Sequence, residues 1–219
     1  VLDQPYPGGG TLFEWMQRQY RAIAALPADD PDTKAQTERF RAELYQRILD
    51  TPVNGAFVED LRQALQRTFG EESVGLFVRS DTNVEDLPGF TGAGLNLTLP
   101  NVVGYDNLLA AINRVWASPF TARAFAWRQS HMESPEHVYT SILLLGSVAS
   151  DKSGVLVTQD LDTGDRQVIS VAVKEGVGGA VDGQAAESLR VDTPTGKVRV
   201  LATATAPWRR RPADNGGIE

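Results

Sequence analysis

Cysteine is absent from this 219-residue chain, and histidine and methionine occur only twice each. Disulfides, cysteine nucleophiles and thiolate metal sites are therefore excluded. Long apolar runs are also missing, and none approaches the roughly 20 residues that a membrane-spanning helix requires. No signal-peptide pattern opens the chain, so no membrane partner is expected and a cytoplasmic location is the default expectation. Positive charge is scarce, with 21 Lys and Arg against 28 Asp and Glu, a net charge of −7. Without a general positive field, non-specific nucleic-acid binding is not expected. Repeats and low-complexity tracts are absent too. What remains is 42% hydrophobic and 22% charged, the balance of a soluble globular protein with enough chain for a real core.

Apolar spacing divides the chain into a helical part and a mixed part. Phe13, Met16, Tyr20 and Ile23 recur at three and four residues, which predicts a helix over 11–26. Pro27 ends it. Asp30 then serves as an N-cap with Pro31 at the first helical position, starting a helix that runs to about Asp50. Thr51-Pro52 restarts a third helix with Phe57, Leu61 and Leu65 apolar. Residues 73–79 read as a buried strand. Helices follow over 107–116 and from Pro119 to about His131. The nearly unbroken apolar run from Val138 to Val148 predicts a strand buried on both faces. Strands at 154–158 and 167–173 flank an Asp162-Thr163-Gly164-Asp165 turn, and Thr195-Gly196 marks a hairpin between 189–192 and 197–201.

The segment Val78-Arg79-Ser80-Asp81-Thr82-Asn83-Val84-Glu85-Asp86-Leu87-Pro88-Gly89-Phe90-Thr91-Gly92-Ala93-Gly94 carries the clearest chemistry. One arginine stands at the mouth of a strand, followed by hydroxyls, carboxylates and three glycines. Glycine lets backbone N–H groups approach an anion closely. Arginine supplies a fixed fork of donors suited to phosphate oxygens. The pattern predicts a phosphate-handling loop over 81–94 with Arg79 pointing into a concave surface. Arg79 could instead pair with Glu85 or Asp86, the two carboxylates could simply order the loop, and Gly89, Gly92 and Gly94 could serve turn geometry alone.

These residues resemble the "VRSS-x-x-x-EDLPG-x-x-x-AG" loop of the phosphoenolpyruvate synthase and pyruvate phosphate dikinase family. They are closer still to the "RSD-x-N-x-EDL-x-G-x-x-GAGL" form of glucan water dikinases. Two further blocks follow in the family order. Arg114-Val115-Trp116-Ala117-Ser118-Pro119-Phe120 with Arg123-Ala124 and Trp127-Arg128 is similar to "VFAS-x-F-x-x-RA-x-x-YR". Ser153-Gly154-Val155-Leu156-Val157-Thr158 with Asp160 and Thr163-Gly164 is similar to "SGV-x-FT-x-D-x-x-TG".

The resemblance implies an ATP-grasp nucleotide-binding domain that takes ATP and Mg²⁺. Arg79 would act on the transferring phosphoryl group. Gly89, Gly92 and Gly94 would lie over the nucleotide phosphates. Arg123 would be a second phosphate or loop contact, with a solvated helix face as the alternative. The turn Lys174-Glu175-Gly176-Val177-Gly178-Gly179 resembles the family's "GLGE", but Gly179 stands where the family has the acid. Glu175 is the substitute candidate for holding Mg²⁺ beside the phosphates. Where many relatives carry "VQ-x-M", this chain has Leu144-Leu145-Gly146-Ser147. The family's "GGK" lysine is not found, since Gly8-Gly9-Gly10 is followed by Thr11. His131 and His137 flank a turn and read as solvated; a metal pair is the lesser alternative. Arg209-Arg210-Arg211 reads as a solvated run.

Together these readings give an expectation of class α/β or α+β: a helical section over 1–72, a mixed-sheet ATP-grasp-like core over 73–205 and a linker over 206–219. The chain reads as a piece of a dikinase-type phosphotransferase whose parent passes phosphate from Mg·ATP to a histidine on another domain, then to pyruvate or a related acceptor. The 219 residues alone are expected not to turn over. A degenerate ATP-grasp-like module kept for binding or regulation is the competing expectation.

Overall fold

The structure, a computed structural model, describes residues 1–27, 30–70, 74–84, 86–87, 90–91, 95, 97–178 and 185–219. It divides into two compact units, Val1–Gly146 and Ser147–Glu219. The expected boundaries at 72/73 and 205/206 therefore differ from the division the packing makes.

Unit 1 opens with three helices whose starts are written locally. Helix α1, Leu12–Ala24, begins at Thr11, whose Oγ1 accepts the Glu14 N–H while the Glu14 carboxylate accepts the Thr11 N–H. This reciprocal box satisfies two otherwise orphaned donors. Helix α2, Pro31–Asp50, starts as expected, with the Asp30 carboxylate accepting the Asp32 N–H at 2.8 Å. Helix α3, Gly55–Phe69, starts three residues later than Pro52 suggested. Thr51, preceding proline, is held extended as the C-cap of α2. Asn54 supplies the cap instead, accepting from Ala56 and Phe57.

A three-stranded antiparallel sheet follows, in the order β4-β1-β5: β1 Leu76–Thr82, β4 Thr98–Val102 and β5 Thr140–Gly146. Two short strands, β2 Asp86–Leu87 and β3 Phe90–Thr91, pair with each other. Helix α4, Tyr105–Ala117, a 3-10 turn at Ser118–Phe120 and helix α5, Ala122–His131, lie in sequence between β4 and β5. The predicted helices thus hold, joined by that turn.

Two apolar clusters fill unit 1. One gathers Trp15, Met16, Tyr20, Phe40, Leu44 and Phe125 from three helices. The other presses Leu76 and Val78 of β1 against Leu108, Ile112 and Val115 of α4. Trp116 borders both clusters. Asn113, itself buried, donates from Nδ2 to the carbonyls of Thr51 at 2.9 Å and Leu49 at 3.3 Å. Those are carbonyls that the end of α2 leaves without intrahelical partners.

The expectation that Val138–Val148 is buried on both faces is corrected. Leu143 and Leu145 are 49% and 41% exposed. Only the alternate face of β5, with Ile142 and Leu144, joins the cluster at α4. An apolar run says that a segment avoids polar residues, not that both its faces are covered.

Unit 2 is an antiparallel meander, β6 Lys152–Val157, β7 Val168–Glu175, β8 Glu187–Asp192 and β9 Val198–Ala202. In all three sheets the described ladders are antiparallel. The parallel pairing among the described residues is the isolated bridge of Gly176 with Arg210. The α+β class expected from the sequence therefore holds. Gly154 has a structural need: a Cβ there would stand 2.3 Å from the Ala172 carbonyl oxygen. The Asp160–Asp165 turn closes on itself, with the Asp160 carboxylate accepting the N–H groups of Asp162 and Thr163. Arg190 reaches back to Asp160 and Asp162, each at 2.5 Å.

Residues 206–219, expected as a linker, carry regular backbone pairing. The Val177 N–H donates to the Arg210 carbonyl at 2.8 Å, and Arg211 and Glu219 exchange two backbone bonds. Arg209 and Arg211 pair with Asp151 and Glu219. Among the described residues no helix is long and apolar enough to cross a membrane.

Two outcomes follow from this packing. Asn113→Ala leaves two carbonyls at the end of α2 without a donor and should lower the stability of unit 1 by about 1–3 kcal/mol in chemical denaturation. Phe57→Ala, at a side chain 42% exposed, should cost clearly less. Acid should loosen unit 2 for a definable reason. Backbone donation from Thr163, then from Asp162, and the Arg190 guanidinium hold the Asp160 carboxyl below its ordinary value. Hydrogen bonds from Thr195 do the same for Asp192. A depressed folded pKa stabilises the fold above the unfolded carboxylate value of about 4 and loses that contribution as pH falls through the lower, folded value. NMR of the β8–β9 amides should show this loss below pH 4, and Asp160→Asn should remove part of the acid sensitivity.

Candidate functional site

Strand β1 alternates strictly. Leu76, Val78, Ser80 and Thr82 are buried, and between them Arg79 and Asp81 are exposed. Side chains along a strand point to opposite faces, so the apolar contacts of Leu76 and Val78 with α4 turn Arg79 to the outer face. Directly paired residues share a face, which places Thr98 of β4 and Leu143 of β5 beside Arg79. Phe77 pairs with Leu145, and Asp81 with Ser141. The outer face therefore carries one guanidinium among aliphatic neighbours, with a carboxylate two residues along. Among the described residues, no hydrogen bond or ion pair engages Arg79.

The strand is displaced slightly from the sequence expectation, running through Asp81 and Thr82 rather than ending at Arg79. Asn83 then ties the strand end to the 137–139 segment. Its Nδ2 donates to the His137 carbonyl at 3.0 Å, and its Oδ1 accepts the Tyr139 N–H at 2.8 Å. Glu85, Gly89, Gly92 and Gly94 lie outside the described residues, as does Gly179.

The second glycine turn has a clear architecture. Ser153 Oγ donates to the carbonyls of Gly176 at 2.7 Å and Gly178 at 3.0 Å. The Gly176 N–H donates to the Asp151 carbonyl and the Val177 N–H to that of Arg210. Two N–H groups that could face an anion are thus already used within unit 2. Gly176 adopts φ +82°, and a Cβ there would meet the Arg210 carbonyl oxygen at 2.2 Å. Glu175 is exposed at the end of β7 with Lys152 directly opposite on the same face. Among the described residues no group of three His, Asp or Glu side chains is gathered for a metal. A lone carboxylate facing an ammonium does not make a magnesium donor set. The described residues around Glu175 therefore do not fit the ion, and no chemical step is derived through it.

Helix α5 separates its two arginines. Arg123 is exposed, on the solvated face that was the alternative to a phosphate contact. Arg128 is 3% exposed; its Nη2 donates to the Pro119 carbonyl and its guanidinium lies 5.5 Å from the Phe120 ring centroid. Burial lowers its pKa to about 10, so it stays charged at neutral pH, and burial raises that of the Tyr20 hydroxyl nearby. Arg128 thus holds the 118–120 turn in place. His131 stacks on Trp127, with ring centroids 4.0 Å apart, and His137 reaches the Tyr139 hydroxyl at 3.0 Å. Phe120 is buried in the helical cluster.

Some residues escaped the sequence reading. Lys174 is 5% exposed, its ammonium 4.9 Å from the Trp208 ring centroid, close enough for a cation–π contact. Its period-two relation to buried Ser170 was the available signal. Arg190 had no local signal, because its partners stand 28 and 30 positions away in sequence.

Known proteins share this pattern. The family described as "Pyruvate phosphate dikinase, AMP/ATP-binding domain" matches residues 14–207. Phosphoenolpyruvate synthase of Pyrococcus furiosus is 33% identical over 183 residues, 82% of this chain and 21% of the relative. Rifampicin phosphotransferase of Bacillus subtilis is 32% identical over 168 residues, 77% of this chain and 19% of the relative. Phosphoenolpyruvate synthase of Escherichia coli is 32% identical over 161 residues, 72% of this chain and 20% of the relative. The chain thus spans about a fifth of the length of these relatives. Both the Arg79 strand and the Ser153-clamped glycine turn fall inside the matched span, and the chain belongs to the pyruvate phosphate dikinase AMP/ATP-binding domain family.

Proposed function

We propose that this chain is the ATP-holding part of a dikinase-type phosphotransferase, and that Arg79 engages the phosphates of the nucleotide. The observation that carries the reading is the outer face of β1. A guanidinium with no partner among the described residues stands there among Leu143, Leu145 and Phe77. A cation in an aliphatic field suits a ligand that joins an anionic group to an apolar body, as a nucleotide does. Phosphoryl transfer needs little covalent chemistry from the protein and depends on positioning and charge stabilisation. Arg79 supplies a fork of donors from a rigid strand, which holds phosphate oxygens in one orientation and offsets charge that builds on them.

The relatives' names differ, phosphoenolpyruvate synthase in one case and rifampicin phosphotransferase in another, at nearly equal identity. This supports a shared nucleotide role for the segment and an acceptor set elsewhere in the parent polypeptide. The parent is proposed to pass phosphate from ATP to a histidine on another domain and then to the acceptor, in the cytoplasm. Gly89, Gly92 and Gly94 are proposed to carry the loop over the phosphates, and Arg123 to be a secondary contact from its exposed position. Magnesium is proposed to arrive with the nucleotide phosphates rather than in a protein cage. A degenerate binding module is the second reading; the occupied N–H groups of the Gly176 turn and the Lys152 partner of Glu175 favour it.

Labelling of the full-length polypeptide by ATP carrying labelled β- or γ-phosphate separates the two. Arg79→Ala should reduce labelling by about 10³-fold or more, and Arg79→Lys should restore only part of it. The unfolding temperature should stay unchanged, because Arg79 is exposed and lends no apolar contact to α4. Near-normal labelling in Arg79→Ala would reduce Arg79 to a loop-ordering role. No labelling of the unmodified protein would favour the degenerate module. The 219-residue chain by itself should bind Mg·ATP more weakly than about 1 μM, or −8 kcal/mol, in calorimetric titration, since the Arg79 face is open.

A further inference from the structure

The joint between α3 and the rest of unit 1 is not closed by side chains. Leu61, Leu65 and Phe69 of α3 pack against the cluster of β1 and α4, yet no residue of α3 is buried. Where this helix faces Leu76 of β1, Val102 of β4 and Leu108 of α4, a pocket of about 470 Å³ remains, counted out to its open mouth. Leu65, Phe69 and Val74 complete its apolar wall. Folded interiors are close-packed and leave few voids larger than a water molecule. A concave apolar space with a few polar groups at its edge has the form of a small-molecule site. The polar groups here are Arg62 and Gln66, exposed and four residues apart on one face of α3, and Tyr105 at the start of α4. The Arg62 guanidinium lies 4.2 Å from the centroid of the Tyr105 ring. The Tyr105 hydroxyl donates to the Val58 carbonyl, which fixes that ring between the two helices. Among the described residues that line the pocket, Arg62 alone is charged.

We propose that this pocket binds a small monocarboxylic acid, with the apolar body among Leu65, Phe69, Leu76 and Leu108 and the carboxylate on Arg62. The ligand class follows from the lining. A guanidinium stacked on a ring presents its N–H donors edge-on, in a fork that matches a carboxylate. The single lining cation suits one negative charge rather than several. Apolar walls suit an aryl or alkyl body; a sugar would leave hydroxyls unpaired against them. Two helices and two strands surround the space, so it takes a small molecule and not a folded partner. Leu76 points to the inner side of β1, away from Arg79 on the outer side, so the acid and a ligand on the Arg79 face would not compete for the same contacts.

Methyl NMR of the full-length polypeptide and of the 219-residue chain, titrated with 3-phenylpropionate, tests this. The methyl groups of Leu65, Val74, Leu76, Val102 and Leu108 should shift and saturate with a Kd of about 1 mM or tighter. Those of Leu44 and Ile48, in the other cluster, should stay in place. The neutral analogue 3-phenylpropanol should bind at least about tenfold more weakly, because it lacks the charge-assisted bonds to Arg62. Arg62→Gln should bring the acid down to the level of the alcohol and leave the alcohol unchanged. Shifts that do not saturate would overturn the proposal, as would equal binding of acid and alcohol or an Arg62→Gln protein that still prefers the acid. Shifts centred on Leu143 and Leu145 would also overturn it, assigning the acid to the Arg79 face. So would binding by the 219-residue chain alone, which would mean that the longer polypeptide fills the pocket itself. The comparison of acid with alcohol in the unmodified protein stands free of any folding defect in the variant.

Discussion

The contact of β1 with α4 is the constraint on which the outer face of unit 1 depends. Leu76 and Val78 are fixed against Leu108, Ile112 and Val115. A strand cannot turn two neighbours to one side, so fixing Val78 inward fixes Arg79 outward. A slip of one residue would bury a guanidinium under α4 and expose two aliphatics, which is why register in such a sheet is strongly specified. The helix itself is held from behind, by the Asn113 bonds to the end of α2 and by Trp116 at the border of both clusters. The direction of one arginine is thus set by packing in the helical layer as much as by its own strand.

Unit 2 is organised by a different force. Its polar face is tied by charge and hydrogen bonds: Asp160 caps its own turn, Arg190 reaches two aspartates, and Ser153 clamps the glycine turn. Such networks specify geometry when their members are satisfied. The same network limits chemistry. The Gly176 turn gives two N–H groups to backbone carbonyls, and Glu175 faces Lys152. A phosphate role for this turn would rest on groups beyond those two donors, whereas Arg79 has no such prior engagement among the described residues.

The division between the shared and the variable parts of the relatives fits this arrangement. Proteins named phosphoenolpyruvate synthase and rifampicin phosphotransferase are matched by the same segment at similar identity. Under the proposed phosphate role, a rigid strand that offers a fork of donors would be indifferent to where the phosphate goes next. Acceptor choice needs shaped contacts to the acceptor, and the single arginine of β1 supplies none.

Local rules in the sequence determined a good part of this protein. The Asp30-Pro31 start of α2, the existence of strand β1 and the Thr195-Gly196 hairpin were all legible, because caps, apolar runs and turn glycines act over a few residues. Arg79 was legible as a cation on that strand, although the strand runs on through Thr82 rather than ending there. The tertiary structure alone decided which apolar runs are covered. Leu143 and Leu145 read as core but stand exposed, since an apolar sequence does not say whether a second layer lies above it. It also decided that Arg128 is a buried strut while Arg123, five residues earlier on the same helix, faces solvent. Pairings such as Arg190 with Asp160 and Asn113 with the end of α2 join positions far apart in the chain. No local pattern encodes them, because only the folded packing brings the partners within hydrogen-bond distance.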